Sequence, residues 1–201
     1  ASRCAADDGG ASSGPQPLGD ARGRQPPLWV MRCMGDEPSC TVSVRAAPTS
    51  GASYSVRTIV SASGRLSLLS IVAPAMSERT AEGKEACAHD LYELIHVLIS
   101  EGGWEMPVRF WNFFPRITEP AGLVVDGVAQ DNYMMYCAGR SFALEKYYGS
   151  YRELGRLICT ATGIGNDRCD EFSVHCLAFE RGINVENPRQ VPAYRYSKKY
   201  G

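Results

Sequence analysis

The apolar pattern of this chain runs at period two, then at the helical period, then at period two again, and that order limits the folds open to it. Cys40-Thr41-Val42-Ser43-Val44-Arg45 alternates cleanly and reads as a strand. Residues 54–62 and 65–73, rich in Val and Ile, form an expected antiparallel hairpin around Ser63-Gly64. Residues 76–102 carry Ala88, Leu91, Leu94, Ile95 and Leu98 at helical spacing, with Ser77 as the expected N-cap and Gly102-Gly103 as the close. Residues 106–114 read as a strand with an aromatic face, 116–127 as a loop and 128–148 as a second helix. Residues 154–164 and 171–179 read as two more strands, joined by turn residues 165–168. This order predicts an α+β fold, a mixed β-sheet with two helices packed on one face.

The two ends of the chain differ from this middle. Residues 1–27 are Ala, Gly, Ser, Pro and Asp with almost no apolar bulk, which predicts a flexible N-terminal arm. Residues 28–33 read as one more strand. The closing segment 181–201 holds prolines, cations and tyrosines, too aromatic for an ordinary disordered tail. On an extended backbone Tyr194 and Tyr196 point one way and Arg195 the other, which suits a segment lying in a groove. An arginine there can fork onto a carboxylate.

Composition excludes several function classes. With 21 basic and 22 acidic residues the net charge is −1, so no nucleic-acid or membrane-surface field is expected. The longest apolar runs, near 66–75 and 91–99, are too short to span a bilayer. The expected location is intracellular and soluble. The chain begins without Met and without a signal-peptide core, which fits a processed product, and a mitochondrial address goes with that alternative. The eight cysteines include no C-x-x-C pair and sit mostly among apolar residues, so reduced, buried thiols are expected over a disulfide framework. Cys33 and Cys40 are the best disulfide candidate.

No phosphate-binding glycine loop, dinucleotide fingerprint, zinc-protease helix or nucleophile elbow occurs, so neither metal nor cofactor is expected. His89 and His96 share a helix face about 10 Å apart, too far for one metal. Gly163-Ile164-Gly165 is a strand end. Two polar residues stand out. Asn112 lies inside an aromatic strand and needs hydrogen-bond partners, from a ligand or a loop. Arg140 lies mid-helix between Tyr136 and Phe142, and either Glu145 or a ligand carboxylate can pair with it.

Several of these residues recur together in one family. Arg109-Phe110-Trp111-Asn112-Phe113-Phe114, Tyr136-Cys137-Ala138-Gly139-Arg140, Thr160-Ala161-Thr162-Gly163-Ile164-Gly165 and residues 186–196, with Glu186-Asn187-Pro188-Arg189-Gln190 foremost, resemble the amino-terminal half of chorismatases. The resemblance spans about residues 105–201. It implies a fold like that of the reactive-intermediate deaminases (YjgF-like), usually trimeric, with ligands in a cleft between domains. It also implies hydrolysis of chorismate to pyruvate and a dihydro-dihydroxybenzoate or 3-hydroxybenzoate. The arginine that grips substrate in those deaminases is replaced by Ile158, so simple imine deamination is not expected. By the same resemblance Arg140, Tyr194 and Arg195, with Asn112 and Arg189, line a carboxylate-binding cleft.

Full-length chorismatases continue past the Tyr-Gly of Tyr200-Gly201 into a second domain that carries the catalytic glutamate. The catalytic residues are therefore unassigned here. The expected partner is a second copy, in a trimer-like assembly, or a different subunit that completes the cleft around a small carboxylated ligand. The alternative is a non-catalytic accessory or structural subunit of a larger assembly.

Overall fold

Three consecutive antiparallel strands begin the described part of the chain. The computed structural model describes residues 38–149, 159–166, 169–180 and 182. In it β1 is Ser39–Ala46, β2 Ser53–Val60 and β3 Leu66–Ala73. The β2–β3 hairpin closes where the sequence places it. Gly64 takes φ 73° and donates to the Ser61 carbonyl, and the Ser61 hydroxyl accepts from the Leu66 amide. The arm 1–27, the strand expected over 28–33 and all of 181–201 except Gly182 lie outside the described residues, as do residues 154–158 of another expected strand.

A short 3-10 turn, Met76–Glu78, leads into helix α1, Ala81–Glu101. Ser77 is not the cap. Its amide and hydroxyl both bond Asp170, at 2.8 and 2.6 Å, tying the turn to the start of a later strand. Thr80 caps the helix instead, in extended conformation, with its hydroxyl accepting from the Gly83 amide. Thr80→Ala is expected to lower stability by about 1 kcal/mol in urea unfolding, as loss of an N-cap does. Gly102 ends α1 as expected.

Strand β4 is Trp104–Phe114. Pro107 is tolerated inside this central strand because the ladder with β8 shifts register on both sides of it. A second, two-stranded sheet replaces part of the segment read as a loop and the first turn read as helix: β5, Pro120–Val125, pairs with β6, Val128–Asp131. Asp126 and Gly127 between them take φ 49° and 78°, the two positive values that a tight Asp-Gly hairpin turn requires. Helix α2 consequently starts later than expected, at Asn132, and runs to Tyr148. Its cap, Asp131, accepts from the Met134 amide at 2.8 Å. Strands β7, Thr160–Gly165, and β8, Phe172–Glu180, complete the main sheet.

The sheet order is β1-β2-β3-β8-β4-β7, with β4 parallel to β7 and antiparallel to β8. This is the mixed sheet with two helices read from the sequence. Alternate residues of the strands, among them Leu69, Ile71, Phe110, Phe114, Phe172 and Val174, meet Leu91, Ile95 and Ile99 of α1 and Tyr136 and Leu144 of α2. Each fully buried Leu or Ile of this layer contributes roughly 1.5–3 kcal/mol. The intervening residues Ile59, Leu68, Trp111, Phe113 and Leu177 form a smaller cluster on the other face. Cys40 is unbridged and exposed on β1, while Cys33 lies outside the described residues. Cys87 and Cys176 are free and buried, as the composition predicts.

Candidate functional site

Asn112 occupies one of the β4 positions that face the helices, between Phe110 and Phe114, and is 1% exposed. A buried amide must be satisfied, and it is. Its Oδ1 accepts from the Tyr92 hydroxyl of α1 at 2.9 Å, and its Nδ2 donates to the Thr162 carbonyl of β7 at 3.1 Å. Tyr92 gives its one proton to Asn112, so in its 3.3 Å contact with the Tyr136 hydroxyl the donor is Tyr136. Asn112 thereby ties β7 to α1, and through Tyr92 to α2.

Arg140, on α2 one turn after Tyr136, lies with its guanidinium carbon 5.7 Å from the centre of the Tyr92 ring. Two of the expected binding residues, Asn112 and Arg140, are therefore joined through one tyrosine, which holds the first by its hydroxyl and the second by its face. Arg140 forms no ion pair with Glu145. Five residues on a helix turn the side chain through about 140°, to a different face. Among the described residues Arg140 has no carboxylate partner, and its Nε is buried without an acceptor.

Burial works to lower the Arg140 pKa, but Tyr92 and Tyr136 beside it outweigh that and the net direction is up, so the cation is retained. The neighbouring acids are weakened. Burial pushes the hydroxyls of Tyr92 and Tyr136 up, and the Cys159 thiol up to about 12. At neutral pH the cluster is one cation set among neutral phenols and a neutral thiol. It can hold and orient an anion. Among the described residues it offers no group poised for proton transfer.

Arg189, Tyr194 and Arg195 lie outside the described residues. Tyr92 was missing from the expected site, although Ala88, Tyr92 and His96 share one helical stripe and a tyrosine in an apolar stripe calls for a hydrogen-bond partner. His89, Asp90 and Glu93 bring ligand atoms within 4.8 Å of one another, but the carboxylates are committed elsewhere. Asp90 accepts from Ser50 and Tyr54, and Glu93 from Thr49 and from the Lys146 ammonium at 2.5 Å. They fasten the β1–β2 loop and the end of α2 to α1. No helix among the described residues is long and apolar enough to cross a membrane.

Comparison with known proteins supplies the context for this cluster. The family described as chorismatase FkbO/Hyg5-like, N-terminal, matches residues 45–178. A 3-hydroxybenzoate synthase of Streptomyces hygroscopicus is 33% identical over 112 residues, which are 55% of this chain and 30% of that protein. A chorismatase crystal structure superposes with a TM-score of 0.55 at 20% identity, over 83% of this chain and 43% of that one, a likeness of fold. The chain thus spans less than half the length of either relative. With most of its described sheet and both helices inside the matched region, the chain belongs to the FkbO/Hyg5-like chorismatase family, as its amino-terminal domain.

Proposed function

We propose that this domain binds a carboxylated ring compound such as chorismate, and that the family's hydrolysis to pyruvate and a (dihydro)hydroxybenzoate takes place in a cleft completed by another subunit. Its architecture is read as the YjgF-like arrangement, in a trimer-like assembly. One observation carries the reading: Arg140, inside a motif that resembles the family's, keeps a charged guanidinium among buried tyrosines, with no carboxylate partner among the described residues. Chorismate is a dianion with an enol ether. Its hydrolysis calls for cationic clamps and then protonation of the enol-ether methylene by a positioned acid. Arg140 supplies a clamp, with Arg189, Tyr194 and Arg195 as further binding groups and Asn112 holding the tyrosine platform beneath it.

The described part of the cluster contains no carboxyl group, and this favours a second reading: an accessory subunit that keeps the binding fold without the chemistry. Two measurements separate the readings. Chorismate binding by calorimetry is expected to weaken at least tenfold in Arg140→Ala, about 1.4 kcal/mol, with Arg140→Lys between the two because a lysine cannot fork. Pyruvate release, followed with a lactate dehydrogenase couple, reports hydrolysis. Binding that Arg140→Ala leaves unchanged overturns the proposed site, and binding without pyruvate release selects the accessory reading.

A further inference from the structure

A second cation stands at a different place in the fold, where β3 and β4 end and both helices begin. There Met76, Phe114 and Pro115 floor a cavity of about 180 Å³ whose rim carries Lys84, Arg116 and Asn132. Lys84 precedes Tyr92 by eight residues on α1, which separates this cavity from the Arg140 cluster by about 12 Å along the helix.

Lys84 is half-buried, and among the described residues its ammonium has one acceptor, the neutral Oδ1 of Asn132 at 2.9 Å. The two carboxylates on the rim are engaged with other groups. Asp170 accepts from the amide and hydroxyl of Ser77, and Glu119 lies 3.8 Å from Arg116. An ammonium has three donors, and one partly removed from water calls for an anionic partner. Lys84 is also fixed in place. Asn132, 4% exposed, accepts from it on one side and donates to the Arg116 carbonyl on the other, at 2.9 Å.

The backbone around the cavity is unusual too. Ala75, beside Met76, and Arg116 itself hold φ 56° and 50°, the left-handed region that non-glycine residues seldom occupy. Such conformations persist where the surroundings enforce them and gather at binding sites.

The chemistry of the rim selects the ligand class. A dianion such as phosphate meets two carboxylates as well as two cations there, whereas a single carboxylate needs only Lys84 and the outer face of Arg116. Met76 and Phe114, each 1% exposed, close the cavity from below, and the surface it presents is mostly polar. The volume falls below the roughly 300–1,000 Å³ of a drug-sized site. We propose that this cavity binds a small monocarboxylate, its carboxylate on Lys84. The proposal uses none of the residues of the chorismate reading, and each can fail without the other.

Butyrate is the probe, with butyramide as its neutral counterpart and inorganic phosphate as the dianion. In amide NMR titrations of the chain, butyrate is expected to shift Lys84, Arg116 and Asn132 saturably. Butyramide and phosphate are expected to leave them in place at equal concentration. Lys84→Met keeps the apolar stem and should weaken butyrate at least tenfold, while Lys84→Arg should retain it within about threefold. Melting temperature reports whether each variant is folded. If Lys84→Met does not fold, the wild-type comparison of butyrate with butyramide decides alone. Equal shifts from butyramide, shifts centred on Arg140 instead, or unchanged affinity in folded Lys84→Met would each overturn the proposal.

Discussion

Gly139→Ala is expected to destabilise the fold by about 3 kcal/mol, the upper range for overpacking a closed contact. A Cβ built on Gly139 would lie 2.0 Å from the Glu85 carbonyl oxygen, 2.9 Å from the Ala88 Cβ and 2.9 Å from the His89 nitrogen. Two of these are backbone atoms of α1 and cannot rotate aside. A single methyl must therefore push α2 off α1 along its length. Gly139 precedes Arg140, so the same displacement would also part Tyr136 from Tyr92 and loosen the candidate site. Urea unfolding measures the effect, and Gly83→Ala is the internal control. A Cβ there meets only ordinary contacts at 3.5 Å, and replacing a helical glycine with alanine should stabilise by about 0.5–1 kcal/mol. Equal midpoints for the two variants would show that the helices are not in contact at Gly139.

This contact explains what the sequence could and could not reveal. Period-two and helical patterns made β1 to β4, β8 and the body of both helices legible, because each buries one regular face. Gly139 was visible as part of a motif, but its partner Glu85 lies 54 positions earlier and on another helix, and no local pattern encodes that approach. The β5–β6 hairpin was missed for a different reason. Its strands are short and mostly exposed, so the apolar alternation is weak. The legible signal was Asp126-Gly127 between Val125 and Val128, which turn chemistry alone could have identified. Ser77 and Thr80 are both competent caps by residue type. The choice fell to Thr80 because Asp170, distant in sequence, engages Ser77. At the candidate site, Asn112 and Arg140 were found as polar residues in apolar surroundings. That Tyr92 joins them depends on the packing of α1 over β4, which periodicity cannot specify to the individual side chain.

Acidification is expected to destabilise the fold well above the range in which carboxylates titrate, and two histidines are the cause. His96 is 2% exposed, stacked on Tyr147 at 3.8 Å and edge-on to Tyr148 and Phe110, and neither ring nitrogen has a hydrogen-bond partner among the described residues. His175, 4% exposed on the other face of the sheet, shares a 2.8 Å hydrogen bond with Ser70 through Nδ1 and packs edge-on to Phe113, and its Nε2 has no partner among the described residues. Burial lowers both from the ordinary 6.5 to about 4, and Arg57 adds to the effect at His175. The folded pKa is depressed, so between pH 6.5 and 4 the unfolded chain takes up protons that the native state refuses. Stability contributed by the neutral rings is complete above pH 6.5, falls through that window and levels off below pH 4. Each imidazole accounts for about 3 kcal/mol over the full window. Glu93 acts lower on the scale. Burial opposes its ionisation, but its bonds to Lys146 and Thr49 prevail and hold its pKa below the ordinary 4.5, so its contribution is lost only under more acid conditions. Urea unfolding at pH 7, 5.5 and 4.5 resolves the two. Wild type should lose stability steeply across this series. His96→Phe and His175→Asn should each flatten the slope, and the double variant should remove most of it. A slope unchanged in the double variant would place the acid sensitivity elsewhere in the molecule.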